Sequence, residues 1–179
     1  MAPHPPSIAG LGPIAQLGYV VIDLPAAIDL WIDMFGAGPF FLFENVEFPG
    51  WSYRGVETPT PLDIAAGQLG SVVIELILPR GDGPSAYRDS FAPGTGGLHH
   101  YGVLVDDPDA AARHFAPAAP ITTACTGVGT RFGYFDARPQ LGVMVEIIET
   151  GPDVRELFAM IAGAAQDWDG TDRVRPLAL

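Results

Sequence analysis

Gln16-Leu17-Gly18-Tyr19-Val20-Val21-Ile22-Asp23-Leu24-Pro25-Ala26-Ala27 is answered, 84 positions further on, by His100-Tyr101-Gly102-Val103-Leu104-Val105-Asp106-Asp107-Pro108-Asp109-Ala110-Ala111. Each stretch begins as a β-rich run, carries glycine at its third place, and reaches an aspartate able to cap a helix, with a proline within two residues. Gly18 falls on Gly102, Asp23 on Asp107 and Ala27 on Ala111. A strand, a cap and a helix start that recur together are an internal repeat. The far ends correspond as well: Val73-Ile74-Glu75-Leu76-Ile77 matches Met144-Val145-Glu146-Ile147-Ile148, each a β-rich run with one central carboxylate. Gln16 to Glu75 spans 59 positions and His100 to Glu146 spans 46, a difference of 13, which predicts a longer loop or hairpin within residues 43–67.

Working outward, Ile28, Trp31, Ile32 and Phe35 follow the i, i+3, i+4, i+7 pattern of one apolar helix face, and Gly36 supplies a stop. Strands are predicted over residues 14–22, 40–48, part of 51–60, and 67–78, so residues 13–80 read as a βαβββ module. Residues 81–97, rich in Gly, Pro, Ser and Asp, form a crossover with a short helical turn near 85–91, and residues 98–150 form the second βαβββ module. Past Pro152, the positions Val154, Leu157, Phe158 and Ile161 predict a C-terminal helix within residues 151–179, whose polar tail from Asp167 adds little to the core. Residues 1–12, rich in Pro and Gly, read as an extended arm. The fold class is α+β: two βαβββ modules around one cleft, followed by a helix.

With 48% hydrophobic and 17% charged residues, the chain can bury a core and is far from the composition of a disordered segment. Its net charge is −12 and all nine basic residues are arginine, so a polyanion is repelled and nucleic acid is excluded as a partner. Apolar runs such as residues 72–78 fall far short of the roughly 20 residues needed to span a bilayer, and no signal-like segment precedes the fold. No membrane association is expected, and the single Cys125, unable to form an internal disulfide, agrees with a cytoplasmic location.

Glu75 and Glu146 each interrupt an apolar strand, and a carboxylate on a buried sheet face must be paired or bind a metal. Either alone is ordinarily a solvent-facing strand residue; their equivalence across the repeat argues otherwise. Gln16 and His100 occupy the matched starts of the first strands. Strand alternation sends His99 and His100 to opposite faces, and the repeat selects His100. Two modules related by a pseudo-twofold bring Gln16, Glu75, His100 and Glu146 to one point. One nitrogen and three oxygens suit one divalent ion, Zn, Ni, Co, Mn or Mg, with two positions left for water or substrate oxygens. Trp51, Tyr53, Phe132 and Tyr134 are candidates to line an apolar cleft, and Arg54, Arg88, Arg131 and Arg138 to hold an anionic group. Trp51, Arg54, Arg131 and Tyr134 are carried forward as substrate-binding positions.

Over residues 13–150 the chain resembles the vicinal oxygen chelate superfamily, which includes glyoxalase I, methylmalonyl-CoA epimerase, extradiol dioxygenases and bleomycin-resistance proteins. The motifs that carry the resemblance are Gln16-Leu17-Gly18-Tyr19-Val20-Val21, Phe35-Gly36-Ala37-Gly38, Val73-Ile74-Glu75-Leu76, Gly97-Leu98-His99-His100-Tyr101-Gly102-Val103 and Val145-Glu146-Ile147. The resemblance implies that Gln16, Glu75, His100 and Glu146 are metal ligands, a set similar to the zinc form of glyoxalase I. The segment from Gly97 to His100 is more similar to methylmalonyl-CoA epimerase. Oxygenase chemistry ranks low, because Gln16 stands where an iron ligand is needed. The implied activity is that of an isomerase, epimerase or lyase removing a proton next to a carbonyl of a small-molecule substrate, with Glu146 as base, helped by Glu75. The resemblance also implies a homodimer. The alternative is a metal-free binding protein of the bleomycin-resistance kind. No glutathione or coenzyme A signature separates the candidate substrates.

Overall fold

A computed structural model describes residues 10–177, so residues 1–9 of the expected arm lie outside the described residues. Strand β1 (Ile14–Val20) leads through Asp23 into helix α1 (Leu24–Phe35). The Asp23 carboxylate accepts the Ala26 N–H at 3.0 Å, Pro25 sits in the first turn, and Gly36 ends the helix in the left-handed region with φ 67°. Then come β2 (Phe40–Val46), a short hairpin of β3 (Ser52–Tyr53) and β4 (Val56–Glu57), β5 (Leu62–Leu69) and β6 (Val72–Pro79). Helix α2 (Ala86–Ser90), capped by Ser85, precedes β7 (Gly97–Val105). Asp107 caps α3 (Pro108–Ala112) as Asp23 caps α1, and a 3₁₀ turn, Arg113–Phe115, extends it. Strand β8 (Thr122–Cys125), strand β9 (Arg131–Phe135), helix α4 (Arg138–Leu141) and strand β10 (Met144–Glu149) complete the second module. Helix α5 (Pro152–Ala165) and strand β11 (Val174–Pro176) close the chain.

All strands join one sheet in the order β11-β2-β5-β6-β1-β7-β10-β9-β8-β3-β4. The pseudo-twofold passes between β1 and β7, which pair antiparallel, and each is flanked by the last strand of its own module in parallel, β6 and β10. The two outer edges are exchanged. Strand β3, from the long β2–β5 connection of the first module, pairs with β8 of the second, and β11, which follows the second module, pairs with β2 of the first. Each module's exposed edge is thereby covered by chain from the other half.

Three apolar clusters hold the sheet. Under α1 lie Leu24, Ile28, Phe40, Ile74 and Leu76, and under α3 and the 3₁₀ turn lie Val103, Phe115, Phe135, Val145 and Ile147. On the opposite, inner face both modules contribute to the third cluster, with Phe41, Ile64, Trp51, Tyr87, Tyr134, Met144 and Ile161 of α5. Two βαβββ units with a C-terminal helix are thus the fold that the repeat predicts.

Four local expectations change. The run 67–78 is a hairpin rather than one strand: Gly70, at φ 58°, turns β5 into β6. Phe35 is exposed, touching Trp31 across 5.1 Å instead of entering the core, because it ends the helix beyond the sheet-facing positions Leu24 and Ile28. Leu11, within the expected arm, is buried beside Phe115. The tail beyond Asp167 docks as β11 through backbone pairing, which its polar side chains do not prevent. Among the described residues no helix is long and apolar enough to cross a membrane.

Candidate metal centre

The central β1–β7 pair sets the site by placing each donor opposite a glycine. His100 is the register partner of Gly18, and Gln16 that of Gly102. A Cβ on Gly18 would stand 1.9 Å from His100 Cε1, and one on Gly102 2.8 Å from Gln16 Cβ. The missing side chains of the matched glycines are the space that the donors occupy. Glu75 joins from β6, whose register sets it beside Gly18, and Glu146 from β10, beside Gly102. Each module thus supplies one donor from its first strand, one carboxylate from its last and one glycine.

The four donors converge. His100 Nε2 lies 3.1 Å from Glu146 Oε2 and 3.5 Å from Glu75 Oε2. The Gln16 amide nitrogen donates to Glu75 Oε2 at 3.0 Å and Glu146 Oε2 at 3.2 Å, and sits 3.4 Å from His100 Nε2. Donors bound about 2.1 Å from a shared ion are spaced roughly 3.0–3.4 Å apart in octahedral or tetrahedral geometry, so the separations fit one small divalent cation. Two carboxylates, an imidazole and an amide that can turn its oxygen inward form a donor set of matching chemistry. Among the described residues, Glu75, His100 and Glu146 form the one such cluster of His, Cys, Asp or Glu ligand atoms, all within 4.8 Å of one another.

Burial grades the donors: the side chains of His100, Glu146 and Glu75 retain 0%, 6% and 17% of their exposure. Burial disfavours the charged form of His100, but the charge and hydrogen bond of Glu146, joined by those of Glu75, outweigh it and push the imidazole up to about 9. Burial raises the Glu146 carboxyl above its ordinary range, against the opposing pull of His100.

An aromatic wall backs the cluster. The Tyr134 ring is 5.0 Å from that of His100, and its hydroxyl lies 3.1 Å from the Tyr87 hydroxyl. Burial holds both phenols well above their usual range, so they remain neutral donors. Trp51 packs beside Tyr87 and Tyr134, with its indole N–H buried and without a partner.

The chain matches the model of the Glyoxalase/Bleomycin resistance protein/Dioxygenase superfamily over residues 15–128, more than half its length and inclusive of Gln16, Glu75 and His100. The chain belongs to the vicinal oxygen chelate superfamily. Among solved structures, methylmalonyl-CoA epimerase from Mycobacterium tuberculosis is similar at 18% identity and a TM-score of 0.51, covering 79% of this chain and 90% of that one. The hypothetical protein BH1468 from Bacillus halodurans C-125 is similar at 16% identity and a TM-score of 0.53, covering 78% of this chain and 94% of that one. No curated protein sequence matches. At these identities the structural likeness speaks for the fold, and this vicinal oxygen chelate chain must be read from its own site.

Of the residues singled out in the sequence, the fold brings together Gln16, Glu75, His100 and Glu146, with Trp51 and Tyr134 beside them. The arginines lie elsewhere. Arg54 is exposed and tied to Asp89 at 2.8 Å, and Arg131 is exposed and tied to Asp109 and Glu149. Alternation along β9 explains the latter: Phe132 and Tyr134 face the inner cluster, so Arg131 points from the other face. Arg88 and Arg138 pair with Asp82 and Asp136.

His99 is the residue that the sequence reading passed over. Adjacent Gly18 and Tyr19 face His100 and Leu98, so His99 is the extra residue of a β-bulge. A bulge suspends alternation, and the His99 ring enters the same inner cluster, 5.2 Å from the Tyr134 ring. Tyr87, in the crossover, carried no sequence signal beyond its place in a short helical turn.

Proposed function

We propose that this vicinal oxygen chelate protein is a metal-dependent isomerase or epimerase, or a lyase of the glyoxalase type, that removes a proton from carbon next to a carbonyl. The observation that carries the reading is the meeting of the four side chains across the pseudo-twofold, with Gln16 and His100 each 3.0–3.5 Å from Glu75 and Glu146. A divalent ion held by these four side chains supplies Lewis-acid stabilisation to negative charge developing on neighbouring substrate oxygens. Glu146, whose carboxyl burial raises above its ordinary range, is a stronger base than a free carboxylate and is the group to accept and return the proton. Glu75 retains the most exposure of the acidic donors, so a small-molecule substrate meets the cluster past it, and its carboxylate is the second proton carrier that an epimerisation needs. Trp51 and Tyr134, both buried, back the donors with an apolar wall rather than offering a surface to substrate.

Methylmalonyl-CoA esters, from the name of the structural neighbour, and 2-oxo thiohemiacetals are the first substrates to try. The same reading includes a cytoplasmic homodimer, for which sedimentation velocity gives the mass. The deciding experiment is metal analysis of protein purified without chelator or nickel resin, followed by solvent-deuterium exchange into those substrates. About one metal per chain and exchange at the carbon next to the carbonyl support the reading. No stoichiometric metal after reconstitution with Zn, Ni, Co, Mn and Mg would transfer the site to the metal-free binding class.

A further inference from the structure

His99 gives no atom to the donor cluster, yet it is 1% exposed and engaged at both ring nitrogens. Its Nε2 lies 3.2 Å from the carbonyl oxygen of Ala86, and its Nδ1 lies 3.0 Å from Nδ1 of His100. A carbonyl oxygen only accepts, so His99 Nε2 carries the hydrogen of that bond. Between the two Nδ1 atoms there is one hydrogen, and one ring must offer it while the other accepts. Positive charge in the pair belongs on His100, which faces Glu146 and Glu75, whereas His99 faces a carbonyl and the rings of Tyr87, Phe91 and Tyr134. His99 is the neutral ring with a bare Nδ1, and His100 donates its Nδ1–H to it.

We infer that His99 is a positioning residue that holds His100 in the Nδ1–H form, leaving Nε2 as the ligand atom aimed at Gln16, Glu75 and Glu146. The inference rests on the metal reading above. The polarity of the relay runs from His100 Nδ1–H to His99 Nδ1, and from His99 Nε2–H to Ala86. Its far end is fixed: Ala86 opens α2, which Ser85 caps by accepting the Arg88 N–H at 3.3 Å. The β-bulge at His99 is what lets two consecutive residues of one strand share a face and form this bond. The crossover between the modules therefore sets the orientation of the one nitrogen ligand, an outer partner of the kind that tunes metal affinity.

The test combines long-range ¹H–¹⁵N spectra of the imidazoles with zinc affinities measured by chelator competition, on protein purified without nickel resin. In the wild type, His99 should show protonated Nε2 and bare Nδ1 with and without zinc, and His100 should keep its Nδ1–H as zinc loads while its Nε2 signal moves. His99→Phe keeps a ring and removes the acceptor, and should weaken zinc binding by about 10- to 100-fold. His99→Asn restores an acceptor at the Nδ1 position and should recover most of that loss. A protonated Nδ1 on His99, or equal zinc affinities in the wild type and His99→Phe, overturns the inference. If His99→Phe fails to fold, the wild-type spectra alone decide. Failure of the wild type to bind zinc strikes the metal reading instead, and the metal-free spectrum still decides the relay's polarity.

Discussion

The two modules put equivalent residues on equivalent strands and then use them differently. Gln16 and His100 lie on β1 and β7, Glu75 and Glu146 on β6 and β10, and Gly18 and Gly102 make room for each other's donor. The first module gives an amide and the more open carboxylate, while the second gives the imidazole, the bulge and the buried carboxylate. The repeat determines where four donors meet. Departures from the repeat determine which donor is charged, which is sealed and which stays partly open.

The sharpest test of that asymmetry sets His100→Ala against Gln16→Ala. Removing His100 leaves Glu146 buried without its ion partner, which should cost the metal-free protein about 3–5 kcal/mol and abolish stoichiometric zinc. Removing Gln16 deletes hydrogen bonds to two carboxylates, costs about 1.5–3 kcal/mol and leaves weaker zinc binding. Urea unfolding and metal analysis read both. Equal losses would mean that the modules contribute as true equivalents.

The glycine pair asks the same question with smaller effects. Gly18→Ala drives a Cβ into the His100 ring, so it should reach the upper end of the roughly 1–3 kcal/mol cost of overpacking and displace the nitrogen ligand. Gly102→Ala meets the Gln16 Cβ at 2.8 Å, a milder overlap, and should cost less while retaining zinc. Thermal unfolding with metal titration ranks them; the reverse order would show that the β1 side of the centre is the rigid one.

A pH series separates the charged donor from the neutral one. The folded His100 is raised to about 9 from an unfolded value near 6.5, so its contribution to metal-free stability is full below about 6.5 and is lost as pH rises through about 9. The raised Glu146 carboxyl acts in the same direction, since its ionisation is harder in the fold than in the open chain. Metal must displace the His100 proton, so zinc affinity should climb as pH rises toward about 9 and level off above it, with about one proton released per ion below that pH in calorimetry across buffers of different ionisation heat. Zero release at pH 7.5 would place a neutral imidazole in the metal-free site.

The donors were legible because each is tied to a repeat: a carboxylate in an apolar strand is ambiguous once, but not when its mate stands at the matched position. The Asp23 and Asp107 caps were legible for the same reason, and because capping is local. His99 was not. A bulge arises from how β1 and β7 register against each other, and alternation within β7 alone argues against it. The crossing of β3 to β8 is likewise long-range; extra length in residues 43–67 predicts a hairpin but carries no address. The β5–β6 turn was missed: Gly70-Ser71 interrupts the β-rich run 67–78, but the apolar density on both sides masked it.

Alternation also frames the smallest expected effect, within one strand of the second module. Arg131 and Tyr134 differ by an odd number of positions on β9 and so take opposite faces. Arg131 reaches Asp109 and Glu149 at 3.1 and 3.3 Å on the exposed side, where water and salt screen the pairs, and Arg131→Ala should change stability by less than about 1 kcal/mol and leave metal content and turnover unaltered. Tyr134→Phe removes only an oxygen, but that oxygen lies 3.1 Å from the Tyr87 hydroxyl and, as a buried dipole, holds the Glu146 carboxyl down against burial, so its loss should cost about 1 kcal/mol and shift the pH dependence of zinc uptake. Measuring both variants by unfolding and zinc titration compares the two faces of a single strand. An Arg131→Ala loss of turnover equal to that of Tyr134→Phe would mean that substrate approaches over the outer face, and that exposure of Glu75 does not mark the entrance.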